Sequence, residues 1–379
     1  MEYDFKDIRP YRDHEVASVL KRLRANSEFV SGLRYFFLPN CPAWLIKPAN
    51  IMVSLVLYKK LRNIKTIEDF QKKIMTKYGL DKIVENSVDE MTRSGMEVVS
   101  LTGPQIFISN HRDIALDSSL MNYHFLSLGI PYTENAIGDN LLMNGFVTDL
   151  FRINKGFIVK RGLPIREQIK ASYKLSHYIW HTLSSNKKLW LAQREGRAKN
   201  GDDRTNPSVI KMLHLSQRKG GLEFNDFIKA CFITPIAISY EFDPCDRMKA
   251  RELYRREKNK EYRKRKSEDF ISTLVGIKRP KGRIHVSFGK PLDGEYKNAK
   301  EVAEAIDRSI HLNYKFWPSN YAAFDIVHKT DKYKSMYDRT YVDNFLKRFE
   351  RLPGDIKLIA LKAYSKPLEN FNTLTESKK

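Results

Sequence analysis

The chain has 379 residues, 42% of them hydrophobic, so it can bury a sizeable core in one large domain with additions or in two domains. It carries 67 Lys and Arg against 45 Asp and Glu, a net charge of +22, which favours an anionic partner, either an acidic lipid surface or nucleic acid. Three scattered cysteines with no metal-ligand spacing indicate a reducing compartment, and the charged start MEYDFKDIRPYRDHE is unlike a secretory signal.

The N-terminal region predicts helices that associate with a membrane. Residues 13–37 place apolar side chains at helical spacing among Lys and Arg, which predicts a basic amphipathic helix. Residues 35–61 are the most apolar part of the chain, but Lys47 and three prolines divide them into uncharged runs of about a dozen residues, short of the roughly 20 that a spanning helix needs. We interpret this segment as surface-lying or re-entrant, with a buried pair of core helices as the alternative. Residues 66–94 predict one or two polar helices.

Short β-rich runs alternate with helical stretches in the middle of the chain. The runs are QIFIS (105–109), GFIVK (156–160), KLWLA (188–192), FITPIAIS (232–239) and RIHVSF (283–288). A long helix is predicted between Ile165 and Leu183, where apolar residues follow one face. This alternation predicts an α/β fold with a mostly parallel central sheet flanked by helices.

The remaining segments complete the predicted organisation. Residues 247–266, RMKARELYRREKNKEYRKRK, predict a very basic helix, either a solvated face or a surface for anionic lipid or acyl carrier protein. We expect a helical, membrane-associating region over 1–95, a central α/β domain over 96–295 and a helical C-terminal extension over 296–379.

The segment ISNHRDIALDSSL places His111 and two aspartates between a predicted strand and a predicted helix. In a mostly parallel sheet, sites lie beyond the carboxyl ends of strands, and this segment is in that position. Asp117 alone could be an ordinary helix N-cap, and a lone histidine in a loop is usually unremarkable. Together they predict more, because a carboxylate can orient an imidazole ring to take a proton from a hydroxyl.

Basic residues follow two further predicted strands. Lys160 and Arg161 lie at the end of the second predicted strand, GFIVK. Just after the third predicted strand, KLWLA, come Glu195, Gly196 and Arg197. Arginine binds phosphate in a bidentate manner, and glycine allows a ligand to approach the backbone closely. These strand ends therefore predict a phosphate site.

Four blocks, in this order, resemble the glycerolipid acyltransferase superfamily, which holds glycerol-3-phosphate and lysophosphatidic acid acyltransferases. NHRDIALD resembles the family's His-x4-Asp, KGFIVKR its Gly-x-x-Phe-Ile-x-Arg, REGRAKNG its Glu-Gly-x-Arg, and ITPIAIS its apolar run around a proline. The order and spacing agree over roughly residues 100–290, and Lys155 stands where the family often has glycine. The resemblance implies that residues 96–295 form an acyltransferase domain.

The resemblance also implies a mechanism. His111 would be the general base on a glycerol hydroxyl, held by Asp117, and the hydroxyl would attack an acyl thioester of coenzyme A or acyl carrier protein without a covalent intermediate or a cofactor. Arg161 and Arg197 would bind the acceptor's phosphate, with Glu195 and Gly196 shaping the pocket. The implied enzyme is a 1-acylglycerol-3-phosphate O-acyltransferase of phospholipid synthesis, with glycerol 3-phosphate as the second candidate acceptor, on the cytoplasmic face of a membrane.

The spacing from His111 to Asp117 departs from the family by one residue, since it is His-x5-Asp. Because each helical residue advances about 100°, neither spacing puts both side chains on one face of a straight helix, so the pair must meet across a loop-to-helix turn. A loop can absorb the extra residue, and we expect Asp117 to hold the ring. The alternative is that Asp113 takes that role or that the site is inactive.

Other interpretations remain open at this point. The net charge also suits a non-enzymatic basic protein that binds anionic lipid or nucleic acid, although we expect a membrane rather than nucleic acid. A hydrolase such as a thioesterase could use His111, but no GxSxG elbow supplies a nucleophile. We expect no metal, because His177 and His181 have the i, i+4 spacing of metal ligands but no accompanying third ligand.

Overall fold

The computed structural model describes residues 3–142, 144–219, 221–265 and 267–376. Contacts between residues group them into two compact units. The first unit comprises the residues up to Lys82 together with Glu134–Gln168, and the second comprises Ile83–Thr133 and the residues from Ile169 onward. These two units are defined by contacts between residues, and such a unit need not be a domain that folds independently. The three domains predicted over 1–95, 96–295 and 296–379 therefore stay a prediction.

Strands and helices alternate through the middle of the chain. Within the described residues the strands are β1 Glu90–Ser94, β2 Gln105–Ser109, β3 Glu134–Gly138, β4 Gly156–Val159, β5 Lys188–Ala192, β6 Ile233–Tyr240 and β7 Arg283–Phe288. The α-helices are α1 Asp13–Ala25, α2 Ser27–Phe37, α3 Ile46–Leu61, α4 Ile67–Phe70, α5 Asp81–Ser87, α6 Leu116–Ser127, α7 Gly145–Ile153, α8 Ile165–Ser184, α9 Pro207–His214, α10 Phe224–Ala230, α11 Asp246–Lys258, α12 Ser267–Lys278, α13 Ala299–Asn313, α14 Pro318–His328, α15 Arg339–Lys347 and α16 Gly354–Glu376. A π-helical run, Gln71–Leu80, joins α4 to α5.

The first unit is built around the amphipathic face of α1. Its buried residues recur at helical spacing and pack against residues from α3, α4 and α7: Val16, Val19, Leu20, Leu23, Leu61, Ile67, Phe70 and Ile153. The prediction of one helix over 13–37 was wrong in its continuity. The chain is extended at Asn26, and this residue separates α1 from α2. The Asn26 side chain accepts a hydrogen bond from the Phe29 amide and so caps α2. Strands β3 and β4 pair in parallel within this unit.

Helix α3 contains most of the apolar segment predicted over 35–61. Only Ala49 and Leu61 of this helix are buried, while Ile51 and Leu55 are 63% and 66% exposed. The buried helix pair considered as the alternative therefore does not describe α3. Across the described part of the chain, no helix is both long enough and apolar enough to cross a membrane.

The second unit contains a sheet with the strand order β1-β7-β6-β2-β5. Strand β2 pairs in parallel with β5 and β6, β1 pairs in parallel with β7, and only the β6–β7 pair of this unit's described strands is antiparallel. The predicted α/β class with a mostly parallel sheet is therefore confirmed. Two strands were not predicted: β1 lies within a segment predicted as helix, and β3 was not recognised as a strand.

Strand β2 lies inside the core of the second unit. All five of its residues are buried. The Phe107 ring contacts Phe125 of α6 and Phe288 of β7, with ring centroids 5.2 and 6.3 Å apart. Burying an aromatic side chain of this size stabilises a fold by about 1.5–3 kcal/mol. This packing fixes α6 against the sheet, and it thereby positions the loop between β2 and α6.

The C-terminal region is helical, as predicted. Helices α11 and α14–α16 share a second core, which includes Ala250, Phe345, Phe349 and Tyr364. The basic helix predicted over 247–266 is shorter, because α11 ends at Lys258, and the predicted final residue, Lys266, lies outside the described residues. Helix α12, which begins at Ser267, was not predicted.

Candidate active site

The loop after β2 lies at the edge of the sheet where the parallel strands β2, β5 and β6 all end. Asn110 extends the pairing of β2 with β6 by one residue. Its side-chain oxygen accepts a hydrogen bond from the Ile238 amide at 2.8 Å, and its side-chain nitrogen donates to the Ile238 carbonyl at 3.0 Å. Because Asn110 is fully buried, these bonds satisfy its amide and fix the direction in which the chain leaves the strand.

His111 contacts Asp117 directly. The ring atom Nδ1 lies 2.8 Å from Asp117 Oδ2, across a turn that ends where α6 begins at Leu116. The extra residue of the His-x5-Asp spacing is thus accommodated in the loop. With Nδ1 bonded to the carboxylate, Nε2 is the ring nitrogen that can accept a proton from a substrate.

Asp117 is fully buried and accepts hydrogen bonds at both oxygens. The backbone amides of Arg112 and Asp113 donate to Oδ2 at 2.7 and 3.0 Å, and the Tyr240 hydroxyl donates to Oδ1 at 2.8 Å. A buried carboxylate is costly unless it is bonded in this way. Burial first, and then the charge of Asp117, raise the pKa of Tyr240 well above 10, so its hydroxyl keeps its proton.

Asp113 has a different task, although it is the other carboxylate near the ring. Its Oδ1 accepts hydrogen bonds from the Ala115 and Leu116 amides, each at 3.0 Å, so Asp113 caps the first turn of α6. The capping role that Asp117 could have had therefore belongs to Asp113. Burial first, and then the neighbouring Asp117 carboxylate, raise the pKa of Asp113.

The imidazole of His111 packs edge-on against Trp190 of β5, with ring centroids 5.9 Å apart. The indole nitrogen of Trp190 donates to the Ser109 hydroxyl at 3.1 Å, which holds the indole in place. The His111 side chain is 14% exposed, whereas Asp117 is 0% exposed. The ring is therefore held on one side by protein and remains open to a ligand on another.

The backbone around His111 is anchored by charged groups that the sequence analysis did not single out. Arg112 is buried, and its Nη2 donates to Asp203 at 2.5 Å and to the Gly201 carbonyl at 3.1 Å. Lys249 of α11 is also buried and donates to the Arg112 carbonyl at 2.6 Å and to Asp243 at 2.5 Å. Each of these buried cations is paired with a carboxylate, and the pairs hold the loop in place.

The third motif block adjoins His111 through its backbone. The Ala198 amide donates to the His111 carbonyl at 2.9 Å. Arg197 is buried, and its Nη1 donates to Ser272 of α12 at 2.7 Å. Glu195 and Gly196 are exposed, and Gly196 has a φ of +71°, a conformation that favours glycine. The predicted parts of Glu195, Gly196 and Arg197 in binding a phosphate stay predictions.

Lys160 and Arg161 lie in the first unit, at the end of β4. Lys160 pairs with Asp7 at 3.2 Å, and Arg161 Nη1 donates to Asn140 at 3.4 Å. Lys155, just before β4, has a φ of +59°, a left-handed conformation that favours glycine. The predicted parts of Lys160 and Arg161 in phosphate binding also stay predictions.

No group of three or more histidine, cysteine or acidic side chains that could hold a metal ion occurs in the described ranges. The site residues of the second unit are thus a histidine, a buried carboxylate, a tyrosine and buried basic groups. These side chains suit proton transfer to and from a hydroxyl.

Comparison with known proteins assigns no family. No model of a known protein family matches the chain, and no curated protein matches its sequence. Among solved structures, the crystal structure of the 1-acyl-sn-glycerophosphate (LPA) acyltransferase, PlsC, from Thermotoga maritima is similar at 13% sequence identity and a TM-score of 0.37, covering 78% of this chain and 94% of that chain. This level of superposition assigns neither a family nor an activity to the chain.

Proposed function

We propose that the protein is an acyltransferase that moves an acyl group from a thioester to a hydroxyl of a phosphorylated glycerol lipid precursor. The observation that carries this proposal is the bond between His111 Nδ1 and the buried Asp117, at the strand end where the first of the four motif blocks lies. The four blocks supply the substrate class. Lysophosphatidate is the first candidate acceptor, and glycerol 3-phosphate the second.

The proposed chemistry needs one base. His111 Nε2 takes the proton of the acceptor hydroxyl as its oxygen attacks the thioester carbonyl, and the C–S bond then breaks. The proton passes from Nε2 to the departing thiolate, so the products are an ester and a free thiol. Asp117 keeps the proton of the resting ring on Nδ1 throughout, and Trp190 limits rotation of the ring.

The acyl donor would be acyl coenzyme A or an acyl carrier protein, and the acceptor would come from a membrane. In the first unit, the exposed apolar residues of α3 support membrane association. The net charge of +22 suits a cytoplasmic leaflet rich in anionic lipid. In the second unit Arg197 is the proposed phosphate ligand, with Glu195 and Gly196 next to it in the chain. Lys160 and Arg161, in the first unit, are basic groups with the same predicted task.

The test is release of free thiol from acyl coenzyme A by the full chain in lipid vesicles, with lysophosphatidate or glycerol 3-phosphate as the acceptor. A positioned base contributes about 10²–10⁴-fold, so His111→Ala should lower the rate by that factor. His328→Ala is the matched control, because His328 also pairs with a carboxylate, Glu369 at 3.0 Å, in the C-terminal helices. Equal losses in both variants would refute the proposal.

The two aspartates provide a second discrimination. Asp117→Asn should lower thiol release strongly, because a neutral amide does not stabilise the protonated ring of His111 as the carboxylate charge does. Asp113→Asn should retain most activity, because its side-chain oxygen can still cap α6. A loss confined to Asp113→Asn would reverse the assignment.

A further inference from the structure

Helix α12 presents two opposite faces. Ser272 and Gly276 are buried, whereas Phe270, Ile271 and Leu274 are 45%, 48% and 36% exposed. At about 100° per residue, the exposed positions, with Lys278, span roughly a quarter of the helix circumference, and the buried positions lie on the other side. We name Phe270, Ile271, Leu274 and Lys278 the α12 face. It is an apolar strip that ends in a cation.

The buried side of α12 contacts the candidate active site. The Ser272 hydroxyl accepts a hydrogen bond from Arg197 at 2.7 Å. The Gly276 backbone is so close to Asp113 that a methyl group on Gly276 would lie 2.1 Å from Asp113 Oδ2. One helix therefore connects the α12 face directly to the loop that carries His111.

The residues that precede α12 are strongly basic and exposed. In the described stretch 251–265, seven basic side chains are exposed, against two acidic ones, Glu257 and Glu261. The basic residues are Arg251, Arg255, Arg256, Lys258, Lys260, Arg263 and Arg265. An apolar strip beside a cluster of cations is complementary to a bilayer that has anionic headgroups above apolar chains. An acidic protein would complement the cations but not the exposed phenylalanine, isoleucine and leucine.

We propose that the α12 face and the basic segment 251–265 dock the second unit on an anionic lipid bilayer. The apolar side chains enter the boundary between headgroups and acyl chains, and the cations pair with lipid phosphates. This inference rests on the proposed function only in that the same bilayer would supply the acceptor. Docking through α12 would bring that bilayer next to the loop of His111.

The first experiment locates the surface with a fluorescent reporter on the full chain. In a Cys41→Ser background, where Cys231 and Cys245 are buried, a nitrobenzoxadiazole label is attached to Ile271→Cys. The control is Leu128→Cys, since Leu128 is exposed and follows α6 about 18 Å from Leu116, which is beside Asp113. A third reporter, Ile51→Cys, reports separately on α3.

The label at position 271 should brighten and shift to shorter wavelength on vesicles of phosphatidylcholine with phosphatidylglycerol, but not on phosphatidylcholine alone, while the label at 128 stays unchanged. If the label at 51 responds and that at 271 does not, or if none responds, the α12 proposal is overturned. A response at 271 to acyl carrier protein but not to vesicles would also overturn it and assign the surface to an acidic protein. Thiol release, measured separately, reports on the proposed reaction in every case.

The second experiment measures affinity by vesicle sedimentation. Changing Phe270, Ile271 and Leu274 together to asparagine should weaken binding more than about tenfold, because their burial in lipid is lost. Arg263→Ala and Arg265→Ala should each weaken it roughly fivefold, an effect that high salt removes. Unchanged affinity in the triple variant, with an unchanged melting temperature, would contradict docking through this face.

Discussion

Removing the Tyr240 hydroxyl tests how the Asp117 carboxylate is held. Tyr240 and Asp117 are both buried, and the hydroxyl donates to Oδ1 at 2.8 Å. Tyr240→Phe keeps the aromatic ring and removes only the hydroxyl. Asp117 Oδ1 then stays buried but loses the hydrogen bond from Tyr240. A hydrogen bond to a charged group contributes about 1.5–3 kcal/mol, and we expect the free energy of unfolding to fall by that amount.

The assay combines thermal unfolding with thiol release. For a chain of 379 residues this loss corresponds to a decrease in melting temperature of about 2–4 °C. Thiol release should fall by about tenfold, less than for His111→Ala, because Oδ2 still accepts from His111 and two backbone amides.

Tyr314→Phe is the matched control for this deletion. Tyr314 is also buried, but its ring lies against the Arg112 guanidinium, 5.9 Å from the ring centroid, rather than against Asp117. We expect this variant to lose less than about 1 kcal/mol and to keep its activity. Equal stability of Tyr240→Phe and the wild type would refute the inference that the tyrosine holds a charged carboxylate.

Two further predictions concern stability. Gly276→Ala should destabilise the protein by about 1–3 kcal/mol, because Asp113 cannot move away from the added methyl group without losing the hydrogen bonds by which it caps α6. The control is Gly32→Ala in α2, where nothing lies within 4 Å of the added methyl group. This variant should be more stable than the wild type by up to about 1 kcal/mol in the same thermal assay. Burial is the main cause that raises the pKa of Asp307 from 3.8 to about 6. The folded state therefore binds the proton of this carboxyl group more tightly than the unfolded state does. As the pH rises from about 4 to about 6, the protein loses the stability that this proton contributes. Asp307→Asn should therefore be more stable than the wild type above pH 6, by up to roughly 3 kcal/mol, and the difference should vanish below about pH 4 in denaturant titrations; a difference independent of pH would contradict this.

The sequence predicted the buried strands that consist of apolar runs, whereas β3, ENAIG, is largely buried but has no such run and was missed. QIFIS, KLWLA and RIHVSF coincide with β2, β5 and β7. It missed β1, whose sequence EMTRS is polar. Among the described strands β1 lies at the edge of the sheet beside β7, and it stays largely exposed. Such a strand is defined by its partner, 193 residues away at Glu90 and Arg283, and not by its own pattern.

The candidate site was predictable only where its residues lie close together in sequence. His111 and Asp117 are six residues apart, so a local argument about the loop could bring them together. Asp203 and Lys249 are far from Arg112 in sequence, and only the fold shows that they bind it. Tyr240 offered a signal that was overlooked, because it ends the strand paired with β2, at the edge where His111 lies.

The most direct test of the central claim follows both products of one reaction. Wild-type protein and His111→Ala are incubated in vesicles with acyl coenzyme A and lysophosphatidate, and then with glycerol 3-phosphate, while free thiol and the acylated acceptor are quantified together by mass spectrometry. We predict equal amounts of thiol and acylated product from the wild type with one of the acceptors, and neither above background from His111→Ala. Thiol without acylated product, or full transfer by His111→Ala, would contradict the account.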